Sequence, residues 1–438
     1  MRISSWQRLA PRSAAACAAA SSSSFGMVRS ALVRSLRDMG IARLTVVQEE
    51  ALALSLGGRD DQIVVAQTGS GKTLIFMLPL LQRLAEMAET MEETAHDANA
   101  PRALVLAPTA ALALQHLSTA RNLTKEIPNL VVESLAQLDG MHTSGGSAES
   151  SSQSSARMAT LLVGTPAQLL GSRLALEAIR NVSMVALDEC DALLCGGNYE
   201  DGLSTIGEGL LEALPASAQY LLVTAHLTAA HEATLSSRFP AARRLAQATE
   251  SGRRGTLVPT LRQRFEYLRK SADRDQVALR VLRDASDDPV LAAGTSMVFC
   301  RDAAATERLH KLIEGSIPEL KPLLLASTEH DAPIGLTSGL GSDPLSDPLV
   351  AFRRGEAKVL ICTYAAARGL DFPLVRHVLL RDMPTEVTGY VHCVGRTARR
   401  GAGGTVTCLV ESNHEAERVR HLMQEVHALQ KAPRIAFD

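Results

Sequence analysis

A chain of 438 residues is too long for one hydrophobic core and implies two or three domains. Its 46% hydrophobic and 21% charged residues, with a net charge of −2, are those of a folded globular protein and exclude a fibrous or largely disordered chain. No run approaches the about 18 uninterrupted apolar residues that a membrane span needs, so no membrane partner is expected.

The first acidic residue is Asp38, and the segment before it carries Arg2, Arg8, Arg12, Arg29, Arg34 and Arg37 among many Ser and Ala. Ile3, Trp6 and Leu9 or Ala10 recur at helical spacing opposite Arg2 and Arg8. An amphipathic, acid-free leader of this kind over residues 1–24 reads as an organellar transit peptide, mitochondrial first and plastid second; the other reading is a disordered Ala/Ser tail. Without those six arginines, 39 basic residues face 47 acidic ones, a net of −8. Nonspecific attraction to a nucleic-acid backbone is then weak, and any such binding has to come from a local site.

From residue 61 onward, short aliphatic runs alternate with longer mixed stretches. They are Gln62–Val65, Ala103–Leu106, Leu130–Val132, Thr160–Val163, Met184–Leu187 and Tyr220–Val223, then Ser296–Phe299, Leu323–Leu325, Lys358–Ile361, His377–Leu380 and Thr405–Val410. This alternation predicts parallel α/β units, and two sets predict two sheets. The expected division is residues 25–248, a polar Gly/Arg linker over 249–259, and residues 260–438. Two further stretches, Gly140–Arg157 and Ala326–Pro348, read as disordered insertions. The seven cysteines (Cys17, Cys190, Cys195, Cys300, Cys362, Cys393 and Cys408) form no C-x-x-C pair, which fits reduced, buried thiols.

Between the strand Gln62–Val65 and an apolar helix start at Leu74–Leu81 lies Ala66-Gln67-Thr68-Gly69-Ser70-Gly71-Lys72-Thr73. In that context the glycines let successive backbone N–H groups curl around phosphate oxygens. Lys72 can reach the β/γ-phosphates and the Thr73 hydroxyl can ligate Mg²⁺. Val185–Leu194 (VALDECDALL) is a strand ending in acids, which assigns Asp188 to Mg²⁺ and Glu189 to the attacking water. In Tyr390–Gly401 (YVHCVGRTARRG), Arg396 and Arg399 are three residues apart and are expected on one helical face. They read as arginine fingers stabilising transition-state charge, or as a basic surface turn.

In order along the chain, these stretches resemble the motifs of the DEAD-box ATP-dependent RNA helicases. Gly40–Gln48 resembles the Q motif, Ala66–Thr73 motif I, Pro108–Gln115 (PTAALALQ) motif Ia and Gly164–Gln168 (GTPAQ) motif Ib. Asp188–Asp191 (DECD) resembles motif II and Thr224–His226 (TAH) motif III. Met297–Cys300 resembles motif IV, Thr363–Asp371 motif V and His392–Arg399 motif VI. The resemblance implies two tandem RecA-like domains with ATP between them and single-stranded RNA across both. It implies that Gln48 reads the adenine edge, that Phe25 stacks on the ring, and that Gly369 and Asp371 meet the nucleotide. RNA contacts are implied for Pro108, Thr109, Gly164, Thr165, Pro166, Thr363 and Arg368, and interdomain coupling for Thr224, Ala225, His226 and His392. The departures are Ala110-Ala111 for Arg-Glu, Ala167-Gln168 for Gly-Arg, His226 for Thr, Tyr364 for Asp and Cys393 for Arg. Gly-Gly and Gln-x-x-Arg motifs are also missing from the two insertions. Two readings follow: an RNA-stimulated ATPase that opens short duplexes, or a degenerate helicase acting as an ATP-switched assembly factor on ribosomal or other ribonucleoprotein particles.

Overall fold

The computed structural model describes residues 7–8, 25–66, 70–90, 101–138, 159–195, 205–225, 227, 229–246, 260–268, 274–325, 348–364, 367, 370, 372–385, 387–398 and 403–431. Contacts within the chain divide it into two units, meeting between Ala248 and Thr249. The expected linker 249–259 and most of both insertions lie outside the described residues.

The first unit holds β1 (Gln7–Arg8), β2 (Gln62–Val65), β3 (Pro101–Leu106), β4 (Leu130–Ser134), β5 (Ala159–Gly164), β6 (Met184–Asp188), β7 (Gln219–Thr224) and β8 (Arg243–Ala246). They form one parallel sheet in the order β1-β8-β2-β7-β6-β3-β5-β4. Helices cover the sheet, so its inner strands are buried along their length, and β6 (MVALD) is apolar until its final carboxylate. The helix Lys72–Thr90 is likewise apolar nearly all round, with Ile75, Phe76, Met77, Leu78, Leu80, Leu81 and Leu84 buried, as a helix enclosed by other elements must be. Ile63, Leu104, Leu162, Val185, Leu187 and Leu222 from five strands meet Leu169, Leu193, Leu210 and Leu235 from the helices and Phe239 just beyond one of them. Each such side chain stabilises the fold by about 1.5–3 kcal/mol through lost contact with water.

The second unit holds β9 (Leu261–Leu268), β10 (Thr295–Cys300), β11 (Leu323–Leu325), β12 (Val359–Thr363), β13 (Val375–Leu380) and β14 (Gly404–Glu411), parallel in the order β11-β12-β10-β13-β14-β9. Reading outward from β2 and from β9, the two sheets follow one pattern. β2, β7, β6, β3, β5 and β4 occupy the places of β9, β14, β13, β10, β12 and β11, and the chain visits those places in the same order. Val298, Ile361, Leu379 and Leu409 from the sheet pack on Leu282, Leu309 and Ile313.

Three strands have no counterpart among the expected runs. β9 is an edge strand with Arg262, Gln263 and Arg264 exposed, so it lacks the apolar continuity of an inner strand. β8 begins Arg243-Arg244, but Arg244 is buried because Glu232 and Ser236 accept from it at 3.1 and 2.9 Å. Gln7–Arg8 are extended, not helical, because β8 offers them an unpaired edge through Leu245 and Ala246; the rest of the leader lies outside the described residues. Cys190, Cys300, Cys362, Cys393 and Cys408 are buried, as expected. Among the described residues no helix is long and apolar enough to cross a membrane.

Candidate nucleotide site and its surroundings

The register of the first sheet brings the predicted loops to one edge. Val65 lies opposite Thr224, Asp188 opposite Val223, and Leu106 opposite both Leu187 and Gly164. The chain therefore leaves β2, β3, β5, β6 and β7 at a common level, beyond the carboxyl ends of parallel strands, where α/β sheets bind ligands. Ala66 continues the level by donating its N–H to the Thr224 carbonyl at 3.0 Å.

Of the phosphate loop, Ala66, Ser70, Gly71, Lys72 and Thr73 are described, whereas Gln67, Thr68 and Gly69 are outside the described residues. Gly71 has φ +79°, a left-handed conformation that L side chains adopt at a cost, and the helix starts at the next residue, Lys72. Gln48 fastens this loop from the helix Val46–Gly57. Its Oε1 accepts from Thr45 N–H at 2.8 Å in a capping box, and its Nε2 donates to the Gly71 carbonyl at 2.9 Å. An amide offers two donors and two acceptor lone pairs, so Gln48 keeps one of each for the adenine edge expected of it. Phe25 lies in a turn whose carbonyl accepts from Val28 at 2.9 Å, ahead of the helix Ser30–Asp38. The buried Ser70 Oγ has no hydrogen-bond partner among the described residues, which suits a loop shaped for an anion's oxygens.

Asp188 ends β6 with its carboxylate buried. Oδ1 accepts the Glu189 N–H at 3.0 Å, and Oδ2 lies 2.9 Å from His116 Nε2. Burial acts to raise this carboxyl, but the His116 hydrogen bond, the Lys72 ammonium and the Glu189 N–H together hold it below the usual carboxylate range. The four lone-pair positions of a carboxylate leave room for a metal's water shell, so this group fits an outer-sphere Mg²⁺ ligand. Glu189 has φ +50°, an uncommon state for a side-chain-bearing residue, held here in a buried turn between β6 and the helix Cys190–Cys195. Asp191 Oδ1 accepts from Thr224 Oγ1 at 2.7 Å, joining the ends of β6 and β7 through two fully buried groups. Ala225 follows Thr224, and His226 is outside the described residues.

At the same edge, Thr109 caps the helix Ala110–Thr124, and Thr165 caps Pro166–Leu170 in a box with Gln168, whose Oε1 accepts from Thr165 N–H at 3.0 Å. Gln168 stands where the motif comparison expects Arg, and its side chain is committed to this cap. Pro108 precedes the first cap. Gly164 has to be glycine, since a Cβ would fall 2.6 Å from the Leu135 side chain packed against it.

In the second unit, Thr363 ends β12, while Arg368, Gly369 and Asp371 lie outside the described residues. The helix Val387–Val394 carries the buried His392 and stops before Gly395, so Arg396 lies in a turn and not on the helical face that the three-residue spacing predicts for it. Ala398 with φ +56°, and Thr397 Oγ1 donating to the Val375 carbonyl at 2.9 Å, hold the chain out of the helix. Arg396 is buried, with Nε on the His392 carbonyl at 3.0 Å and Nη1 on the Leu370 carbonyl at 2.7 Å. Arg399 lies outside the described residues.

The repeat of topology identifies what occupies the place of the phosphate loop in this unit. The helix after β9, Arg274–Asp287, begins with Arg274 where the helix after β2 begins with Lys72, and Asp382 follows β13 as Asp188 ends β6. Arg274 donates to Glu411 at 3.2 Å and Glu415 at 2.6 Å and lies 3.6 Å from Asp382; Arg381 donates to Asp275 at 2.6 Å. These groups line a cavity of about 460 Å³. Among the described residues its buried cations are already neutralised by the protein's own carboxylates.

The family model for DEAD/DEAH box helicases matches residues 45–234, and that for the helicase conserved C-terminal domain matches residues 335–401. The ATP-dependent RNA helicase dbp8 of Aspergillus niger is 30% identical over 412 residues, 90% of this chain and 71% of that one. The chain belongs to the DEAD-box helicase family. DEAD-box ATP-dependent RNA helicase 35 of Arabidopsis thaliana is 28% identical over 412 residues, 92% of this chain and 63% of that protein. The chain spans 60–71% of the length of such relatives. The solved structure of S. cerevisiae Dbp5 bound to RNA and ADP BeF3 aligns with a TM-score of 0.68 at 22% identity, covering 91% of this chain and 92% of that one, which makes both sheets here RecA-like.

As a DEAD-box helicase the chain departs from the family's pattern at sites the structure makes apolar or self-contained. Tyr364 stacks on Phe299 with centroids 6.0 Å apart and donates its hydroxyl to the Asp382 carbonyl. Cys393 is buried, and the Tyr364 hydroxyl is pushed up by burial with Cys393 close by. Ala111 is buried in the helix behind Thr109. The residue that sequence reasoning missed is His116. It follows Leu112 by four residues on an apolar helix face, and an ionisable group on such a face needs a buried partner.

Proposed function

We propose that this protein is an ATP-dependent RNA helicase whose RNA-stimulated ATP hydrolysis drives local unwinding or remodelling of RNA. The observation that carries the reading is the single sheet edge in the first unit where Gly71, Lys72, Asp188, Glu189 and the Asp191–Thr224 pair meet. Ala66 to Thr73 cradle the phosphates, with the Lys72 ammonium on the oxygens and Gln48 and Phe25 on the base. Mg²⁺, held by Thr73 and by Asp188, would neutralise phosphate charge. Glu189 orients the attacking water and takes its proton. Gly369, Asp371, Arg396 and Arg399 contribute from the second unit, the arginines stabilising the charge that develops on the transferred phosphoryl group. Thr224, Ala225, His226 and His392 couple hydrolysis to the movement of the units. RNA is held by Pro108, Thr109, Gly164, Thr165, Pro166, Thr363 and Arg368, and residues 25–248 and 260–438 form the two domains around a linker at 249–259.

A second reading, an ATP-switched RNA-binding or ribonucleoprotein assembly factor with little unwinding, is favoured by Ala110, Ala111, Gln168 and Cys393, where charged RNA- or coupling groups are replaced. Parallel assays of duplex unwinding and of ATP hydrolysis, each with and without RNA, separate the two; hydrolysis without strand separation selects the second. We further propose a mitochondrial destination, with plastid as the alternative, on the acid-free Arg-rich leader 1–24. A reporter fused to that leader tests it, and diffuse cytosolic signal removes the claim.

A further inference from the structure

The geometry points to His116 as a positioning residue that fixes the carboxylate of Asp188 for its metal, an inference that rests on the proposed ATP·Mg²⁺ site. His116 is wholly buried in the helix Ala110–Thr124, and its ring stands edge-on to Phe76, with centroids 5.3 Å apart and planes at 88°. That packing leaves the imidazole little freedom of rotation, so its Nε2 is aimed at Asp188 Oδ2, 2.9 Å away. Nδ1 is buried and has no hydrogen-bond partner among the described residues, which favours the tautomer with the proton on Nε2, donating to the carboxylate.

Asp188 then has one donor on each oxygen: the Glu189 N–H on Oδ1 and His116 on Oδ2. The first comes from the next peptide and moves with Asp188. Among the described residues the second is the hydrogen bond to Asp188 that comes from a separate element, so His116 fixes the plane of the carboxylate against the rest of the unit. Outer partners of this kind orient metal-holding groups, and their removal costs roughly 10–100-fold in metal affinity or activity. An apolar side chain at 116 would leave a buried carboxylate with one donor and a freely turning plane.

The test compares His116→Leu, which keeps bulk but removes the donor, with His116→Gln, whose amide can reach the same oxygen. A fluorescent ATP analogue is titrated in EDTA and then at fixed concentration against Mg²⁺, alongside thermal melting and steady-state ATPase. The Leu variant is expected to bind nucleotide in EDTA within about 2-fold of wild type and to need about 10-fold more Mg²⁺ for half-saturation. Its kcat is expected to fall more than its KM changes, and Gln should restore the Mg²⁺ requirement to within about 3-fold of wild type. An unchanged Mg²⁺ requirement in the Leu variant overturns the inference. So does loss of EDTA-state binding in both variants, which would assign His116 to folding alone. Should the Leu variant not fold, His116→Asn, whose amide is too short to reach Oδ2, takes its place against Gln, and equal Mg²⁺ requirements for those two overturn the inference. A wild-type protein whose nucleotide binding ignores Mg²⁺ sinks the underlying metal site itself, a result distinct from either.

Discussion

Replacing Gly71 with alanine probes the point where the loop's shape and the Gln48 tether meet. At φ +79° an alanine pays about 1–2 kcal/mol for a left-handed backbone. Its Cβ would stand 2.5 Å from Gln48 Nε2, so the amide has to swing away and the 2.9 Å bond to the Gly71 carbonyl is lost, another 0.5–1.5 kcal/mol, roughly. The expected loss is about 2–3 kcal/mol of stability in the first unit, with ATP affinity reduced because the carbonyl and N–H directions of the loop change together. Urea unfolding followed by titration with a fluorescent ATP analogue measures both. The companion Gln48→Ala leaves the backbone state alone and removes the bond to Gly71 together with the capping-box bond from Thr45, about 1 kcal/mol each. A Gly71→Ala protein within about 0.5 kcal/mol of wild type and of unchanged affinity would refute the reasoning, since neither the backbone state nor the tether would then matter.

Glu189→Gln keeps the shape of the side chain but cannot take a proton, so turnover should fall by about 100-fold or more while ATP binding persists; loss of binding itself would mean that the roles of Asp188 and Glu189 are exchanged. His377 gives the second unit an acid limit. Burial first, then the charge of Arg264, lowers it from 6.5 to about 4, although Ser296 and Thr407 flank its ring at 3.4 and 3.0 Å. The unfolded chain therefore binds the proton first. The stabilisation is whole above pH 6.5, declines as pH falls toward 4 and levels off below, a loss of about 3 kcal/mol at 1.36 kcal/mol per unit. Denaturant titrations from pH 7 to 4 should show a slope that His377→Gln flattens, and an identical slope in that variant contradicts the assignment. RNA affinity should be weak for the family with a shallow salt dependence, given Ala110, Ala111, Gln168 and Cys393; a tight complex with a steep slope would mean that Arg253, Arg254, Arg353 and Arg354 replace the missing contacts.

The inner strands were legible because burial on both faces demands continuous apolar runs, and the loops at their ends because phosphate chemistry restricts the residues it can use. β9 escaped because an edge strand with one wet face can be built from Arg262, Gln263 and Arg264. Spacing alone predicts a helix at Arg396, yet the helix ends before Gly395, and the left-handed Ala398 keeps the chain out of it. His116 escaped for a different reason. Its partner Asp188 is 72 residues away, and only the adjacency of β3, which leads into the His116 helix, and β6 brings them together. Likewise the carboxylates that neutralise Arg274 come from β14 and the helix after it, a pairing that follows from sheet order and not from any local motif.

The central claim is that Gly71–Thr73 is the working end of an RNA-stimulated ATPase, and steady-state ATP hydrolysis by wild type and Lys72→Ala, with and without single-stranded RNA, tests it most directly. RNA is expected to accelerate the wild-type rate, and Lys72→Ala, lacking the loop's side-chain cation, to lose about 100-fold or more in turnover in both conditions. A Lys72→Ala rate within a few-fold of wild type, or a wild-type rate indifferent to RNA, would contradict the claim.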